Sequence, residues 1–149
     1  MMILITTLIT AISGLLIFPT DATAECQASQ NLPSRQLFVP FSPNSHEITE
    51  SEKIRIERWV SEINSKHPIQ NWIYIIGSAS KNETTPTQLA TKRASEVTKA
   101  IIDDGLINAP FQMKTQIYPI SSAAESTSAT REVTVQVSPG CLDNCCTDH

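Results

Sequence analysis

Few residues in this chain are of a type that could do chemistry. Four cysteines stand at 26, 141, 145 and 146, three histidines at 46, 67 and 149, an adjacent acid pair at Asp103 and Asp104, and Arg93 lies inside a helical pattern. Thiolates and imidazoles become nucleophiles or metal ligands only when a fold brings them together. Cys141, Cys145, Cys146 and His149 could form one metal site, but their spacing matches no common zinc pattern. His46 and His67 fall in loops far apart in sequence. Neighbouring acids at a helix end point apart, so Asp103 and Asp104 do not make an acid and base pair. The chain contains no Gly-x-Ser-x-Gly, no His-Glu-x-x-His and no phosphate-cradling glycine loop. The expectation is a non-enzymatic protein with no cofactor and no metal. Arg93 remains, and its planar fork of donors suits a carboxylate. The plainer alternative for it is a surface arginine that pairs with Glu96 or caps a loop carbonyl.

The chemistry must operate outside the cytoplasm. Residues 2–18 are nearly all apolar or Ser/Thr, and Ala22-Thr23-Ala24 offers a small-x-small cleavage site, so 1–24 reads as a secretory signal peptide. No Lys or Arg precedes the apolar run. The competing reading is an uncleaved membrane anchor, for which the run is at the short limit. Lipid attachment at Cys26 is disfavoured because Glu25, not a small residue, precedes it. Losing 1–24 removes one acid, Asp21, and no base, so the formal charge goes from -4 to -3. Such a chain has no electrostatic footprint for nucleic acid or for an anionic membrane surface. In an exported protein the four cysteines read as disulfides. Three pairings are open. The expectation is that Cys26 joins a tail cysteine and closes a loop of about 115 residues, worth roughly 4–5 kcal/mol in the chain-entropy model.

The remaining chain, about 125 residues, can bury one modest core. Residues 25–36 read as an extended lead-in. Leu37, Val39 and Phe41 alternate with Gln36, Phe38 and Pro40, a first strand that Pro40 confines to an edge or to the strand's end. Ser42-Pro43-Asn44-Ser45 is a turn. Thr49-Glu50-Ser51-Glu52 is a capping box opening a helix whose inward face is Ile56, Trp59, Val60 and Ile63. Trp72 to Ile76 is a central strand covered on both faces, with a sharp exit expected at Gly77 and a polar loop from Ser78 to Thr85. Within that loop Asn82-Glu83-Thr84 is formally a glycosylation sequon, relevant only in a eukaryotic secretory host. Thr85, Pro86 and Gln88 predict a capped second helix with Ala90, Ala94, Val97 and Ile101 inward and Lys92, Arg93, Glu96 and Lys99 off that stripe. Gly105 ends it. Phe111, Met113, Thr115 and Ile117 give a third strand, 121–130 a loop, and Val133, Val135 and Val137 a last strand. The predicted fold is an α/β two-layer sandwich: two helices on a small mixed sheet, in the order strand, helix, strand, helix, strand, strand.

From Leu37 to Val137 this arrangement resembles the OmpA-like C-terminal domain, the envelope module that in many bacteria binds peptidoglycan. The opening Val39-Pro40-Phe41 is similar to the family's Val-x-Phe strand. Gly77-Ser78-Ala79-Ser80 stands where the family has Gly-His-Thr-Asp. Leu89-Ala90-Thr91-Lys92-Arg93-Ala94 stands for Leu-Ser-x-x-Arg-Ala, and Thr130-Arg131-Glu132-Val133 for Asn-Arg-Arg-Val. The resemblance implies a domain over 37–138 followed by a cysteine-rich tail, 139–149. It also implies that Arg93 takes the carboxylate of a peptidoglycan stem amino acid, with Ser80, Asn82 and Arg131 lining the pocket. The family aspartate that meets the amino acid's ammonium is replaced by Ser80, a loss on the order of 2–5 kcal/mol for such a pair. Glu83, three residues on, could substitute if the loop bends back.

Two functional readings follow. One is a periplasmic or outer-membrane-associated module that binds peptidoglycan through a weakened site. The other is a protein–protein subunit of an envelope or secretion assembly that kept the fold and lost the ligand. Trp59 and Trp72 could be interface anchors, but both sit in apolar patterns that suit a core. Membrane contact is expected only through an uncleaved leader.

Overall fold

The structure is a computed structural model that describes residues 32–119 and 128–141. The leader, Cys26, Cys145, Cys146, His149 and most of the loop expected at 121–130 lie outside the described residues. Strand β1 (Arg35–Pro40), helix α1 (Glu50–Lys66), strand β2 (Gln70–Ser80), helix α2 (Pro86–Asp103), strand β3 (Phe111–Tyr118) and strand β4 (Glu132–Pro139) follow in that order, with a 3-10 turn at Ser128–Arg131 before β4. The four strands form one sheet ordered β1-β4-β2-β3. β4 runs antiparallel to both β1 and β2, while β2 and β3 are parallel. The predicted two-layer α/β sandwich is the observed one.

Register explains the core. Leu37 faces Val135, Val39 faces Val133, and Ile73 and Ile75 face Val137 and Val135. Side chains of directly paired residues share a face, so these positions make one apolar surface. Ile56, Val60 and Ile63 of α1 and Ala94, Val97 and Ile101 of α2 pack on it. Each large side chain fully withdrawn there stabilises by about 1.5–3 kcal/mol. Trp59 is half-buried against the same cluster. Pro40 ends β1 at the sheet edge, as its missing amide requires.

Three local expectations are corrected. β2 does not stop at Gly77 but continues to Ser80. Gly77 is needed for close approach instead. A Cβ there would lie 2.2 Å from the Ala90 carbonyl oxygen and 2.9 Å from the Ala94 Cβ of α2. β2 is central, yet only one of its faces meets the helices. On the other, Trp72, Tyr74 and Ile76 are half-buried, the Trp72 and Tyr74 rings lying 4.5 Å apart. Finally, α1 is capped as expected, with the Glu52 amide donating to Thr49 Oγ1 at 3.4 Å. α2 is not: Thr85 sits in the left-handed region at φ 47° and its side chain makes no cap bond. Pro86 alone opens that helix. The reason for the unusual turn at Thr85 is the loop it closes.

Candidate functional site

Arg93 projects from the start of the third turn of α2, and it is fully buried. Its helix position lies off the aliphatic stripe, but the stripe is flanked by chain that folds over it. One wall is the 42–45 turn that follows β1. The Ser45 amide donates to the Ser42 carbonyl at 3.1 Å, Pro43 takes the second position, and Asn44 adopts φ 56° at the third. A turn with positive φ at its third residue favours Gly or Asn there. The other wall is the short 81–85 segment between β2 and α2. The two walls are tied together. Thr84 N donates to Asn44 Oδ1 at 2.8 Å, and Asn44 N donates to Glu83 Oε1 at 2.9 Å.

Glu83 is the centre of the site. The 81–85 segment bends back, so that Glu83 N donates to the Ser80 carbonyl at 3.0 Å and Ser80 N donates to Glu83 Oε2 at 2.9 Å. The carboxylate then meets Arg93 end-on, Nη2 to Oε1 at 2.6 Å and Nη1 to Oε2 at 2.9 Å. Arg93 also donates from Nε to the Ser45 carbonyl at 2.8 Å, from Nη1 to the Ser78 carbonyl at 2.9 Å and from Nη2 to the Ser42 carbonyl at 3.1 Å. A guanidinium has five N–H donors, and here all five are used. The Phe41 ring lies beneath, its centroid 5.4 Å from Arg93 Cζ, within the range of a cation–π contact.

The electrostatics follow the geometry. Burial works to raise the Glu83 carboxyl. The Arg93 hydrogen bonds, the Asn44 and Ser80 amides and the Arg93 charge outweigh it, and the net shift is downward. Side-chain exposures are 0% for Arg93 and 6% for Glu83. Two charges so withdrawn persist only when paired and hydrogen-bonded, and this pair is both. As it stands, the site offers an incoming anion no unused donor on Arg93.

The structure thus brings Arg93 and Ser80 together around Glu83. Asn82 is exposed, its amide donating to Ser80 Oγ at 3.4 Å. Arg131 adjoins through the backbone: its carbonyl accepts from the Phe41 amide at 2.8 Å. Its Nε is buried without a hydrogen-bond partner, and it forms no ion pair among the described residues. Cys141 is the one cysteine among the described residues. Among the described residues no group of His, Cys, Asp and Glu could hold a metal, and no helix is long and apolar enough to cross a membrane.

The apolar spacing of α2 leaves Arg93 off the buried stripe, yet Arg93 belongs to the buried set. Glu83, expected as a partner for a ligand's ammonium, sits against the arginine itself. The 42–45 turn was visible as a turn, but nothing in its spacing announced that it would meet residues 83–93.

Against known proteins, the family model described as OmpA family matches residues 40–136. A comparison with curated proteins gives no match. Among solved structures, the C-terminal domain of Helicobacter pylori MotB superposes with a TM-score of 0.56 at 22% identity, covering 72% of this chain and 88% of that one. The peptidoglycan-associated lipoprotein from Burkholderia pseudomallei gives 0.55 at 19%, covering 67% and 88%. The cell wall anchor of the type VI secretion system from Pseudomonas aeruginosa gives 0.54 at 13%, covering 71% and 82%. At these identities the structural likeness establishes the fold.

Proposed function

The chain belongs to the OmpA family, and from that premise we propose that it is a non-catalytic envelope module that engages protein partners and does not take peptidoglycan through Arg93. The domain spans 37–138, is exported by the 1–24 leader, works in the periplasm or at the outer membrane, and is stapled to its tail by a disulfide from Cys26. The observation that carries the reading is the saturation of Arg93. In the pattern the family resemblance implies, the arginine receives a ligand carboxylate; here a carboxylate of the chain itself, Glu83, fills that seat with bidentate geometry. A stem peptide would have to displace an internal ligand that is covalently tethered ten residues away and therefore present at high effective concentration. Envelope roles are further supported by the kinds of protein that share the fold, which include a peptidoglycan-associated lipoprotein, a periplasmic MotB domain and a cell wall anchor.

A second reading keeps peptidoglycan as the ligand, with Arg131, Ser80 and Asn82 lining its pocket. The unsatisfied Arg131 Nε favours it. Cosedimentation of the exported protein with purified peptidoglycan separates the two. We expect the wild type to stay in the supernatant and Glu83→Ala to move toward the pellet, because that substitution vacates the arginine's carboxylate seat. Wild-type sedimentation that a soluble stem peptide competes away would overturn the first reading and establish the second.

A further inference from the structure

We propose that the cleft between the start of α1 and the last turns of α2 is a docking groove for a cationic, amphipathic helical segment of a partner protein. This rests on the protein-binding reading above and names the partner's chemistry. The groove has a volume of about 650 Å³, and neither Arg93 nor Glu83 lines it. Ile48, Ile54 and Ala100 line its apolar part. Ile54 is 51% exposed, so this side chain stands at the groove with half its surface in water.

The charges around that apolar strip do not balance. Lys53 is held by Glu50 at 3.2 Å and Lys99 by Asp103 at 2.6 Å. Four more acids line the groove, Glu47, Glu57, Glu96 and Asp104, and none has a salt-bridge partner among the described residues. The Asp104 carboxyl is pushed up, by burial first and then by the charges of Glu57 and Asp103. A like-charge field of this kind is relieved by an incoming cation. A single metal ion is not the natural occupant, because no three acids among the described residues are close enough to share one. What fits is an extended ligand with separated positive charges and an apolar side, as in helix-in-groove recognition. The acids would steer and register the ligand, and burial of Ile48 and Ile54 would supply adhesion.

The test is an amide NMR titration of the exported protein with a synthetic peptide of Leu and Lys at helical spacing. Its counterpart with Glu for Lys and calcium ions alone are run in parallel. The expected result is saturable shifts at the start of α1 and the end of α2 with the Lys peptide only. Its affinity should fall at least tenfold in Glu57→Gln/Glu96→Gln, both exposed positions, and fall again as salt is raised. Shifts elsewhere, no shifts, or unchanged affinity in the double variant would refute the groove. Calcium alone saturating the same amides would replace it with an ion site. Failure here leaves the peptidoglycan experiment untouched, and peptidoglycan binding by the wild type would remove the premise without moving these amides.

Discussion

Glu83 and Arg93 form a closed pair: two parallel hydrogen bonds of 2.6 and 2.9 Å join them, the Asn44 and Ser80 amides occupy the remaining carboxylate positions, and three backbone carbonyls take the rest of the guanidinium. The arginine ties β1's exit turn, β2's end and α2 into one unit. A residue type suited to holding a ligand's carboxylate has become a structural clasp.

Breaking the clasp from one side should be costly. Glu83→Gln leaves a buried guanidinium without its counter-charge, and such losses run to about 3–5 kcal/mol. Urea unfolding should show a lower midpoint with little change in slope. Glu83→Ala opens space as well as removing the charge. Formate or acetate at millimolar levels should therefore recover part of its stability, whereas sodium chloride at equal ionic strength should not.

Two carboxyls, buried Glu83 and half-buried Glu132, should oppose each other in acid. Glu83 has its folded pKa lowered, so its contribution is complete above the ordinary carboxylate value of about 4.3 and is lost as pH falls through the lower folded value. Glu132, whose carboxyl burial pushes up, behaves oppositely: its penalty is present at neutral pH and vanishes as the group protonates. Glu132→Gln should accordingly raise the melting temperature at pH 7 and leave it unchanged near pH 3. An equal gain at both pH values would contradict this assignment.

Gly77→Ala should weaken the packing of α2 on β2. The added methyl group meets the Ala90 carbonyl oxygen, which is backbone and cannot rotate away. Overpacking of this kind costs about 1–3 kcal/mol, and the upper end is expected here. Hydrogen exchange should quicken first in the amides of α2's first half.

Much of the fold was readable because its signals are local. The alternation at Leu37 and Val39, the helical spacing of Ile56, Val60 and Ile63, and the run at Ile73 and Ile75 each report burial of one face, and the sheet pairs those faces. Gly77 misled because a glycine permitting close approach and one permitting a turn look identical in sequence. Arg93 misled for a different reason. Periodicity asks whether a position is apolar, and a buried charge breaks that pattern even when its partners are good. Those partners are backbone carbonyls from residues 42, 45 and 78 and a carboxylate from a loop. Carbonyls carry no residue-type signature, so only the fold reveals them.

The disulfide staple has its own check. Exported protein should show no free thiol, and peptide mapping should recover Cys26 joined to a tail cysteine. Reduction should lower stability by roughly 4 kcal/mol if the closed loop spans the domain. Pairing confined to the tail, with Cys26 free, would refute the staple while leaving the clasp intact.

The most direct test of the clasp observes the guanidinium itself. The Arg93 Nε–H resonance should be sharp, slow to exchange with solvent, and unmoved when a soluble peptidoglycan stem peptide is added to millimolar concentration. A resonance that exchanges rapidly, or that shifts and saturates with the peptide, would show the arginine open to ligand and contradict the account.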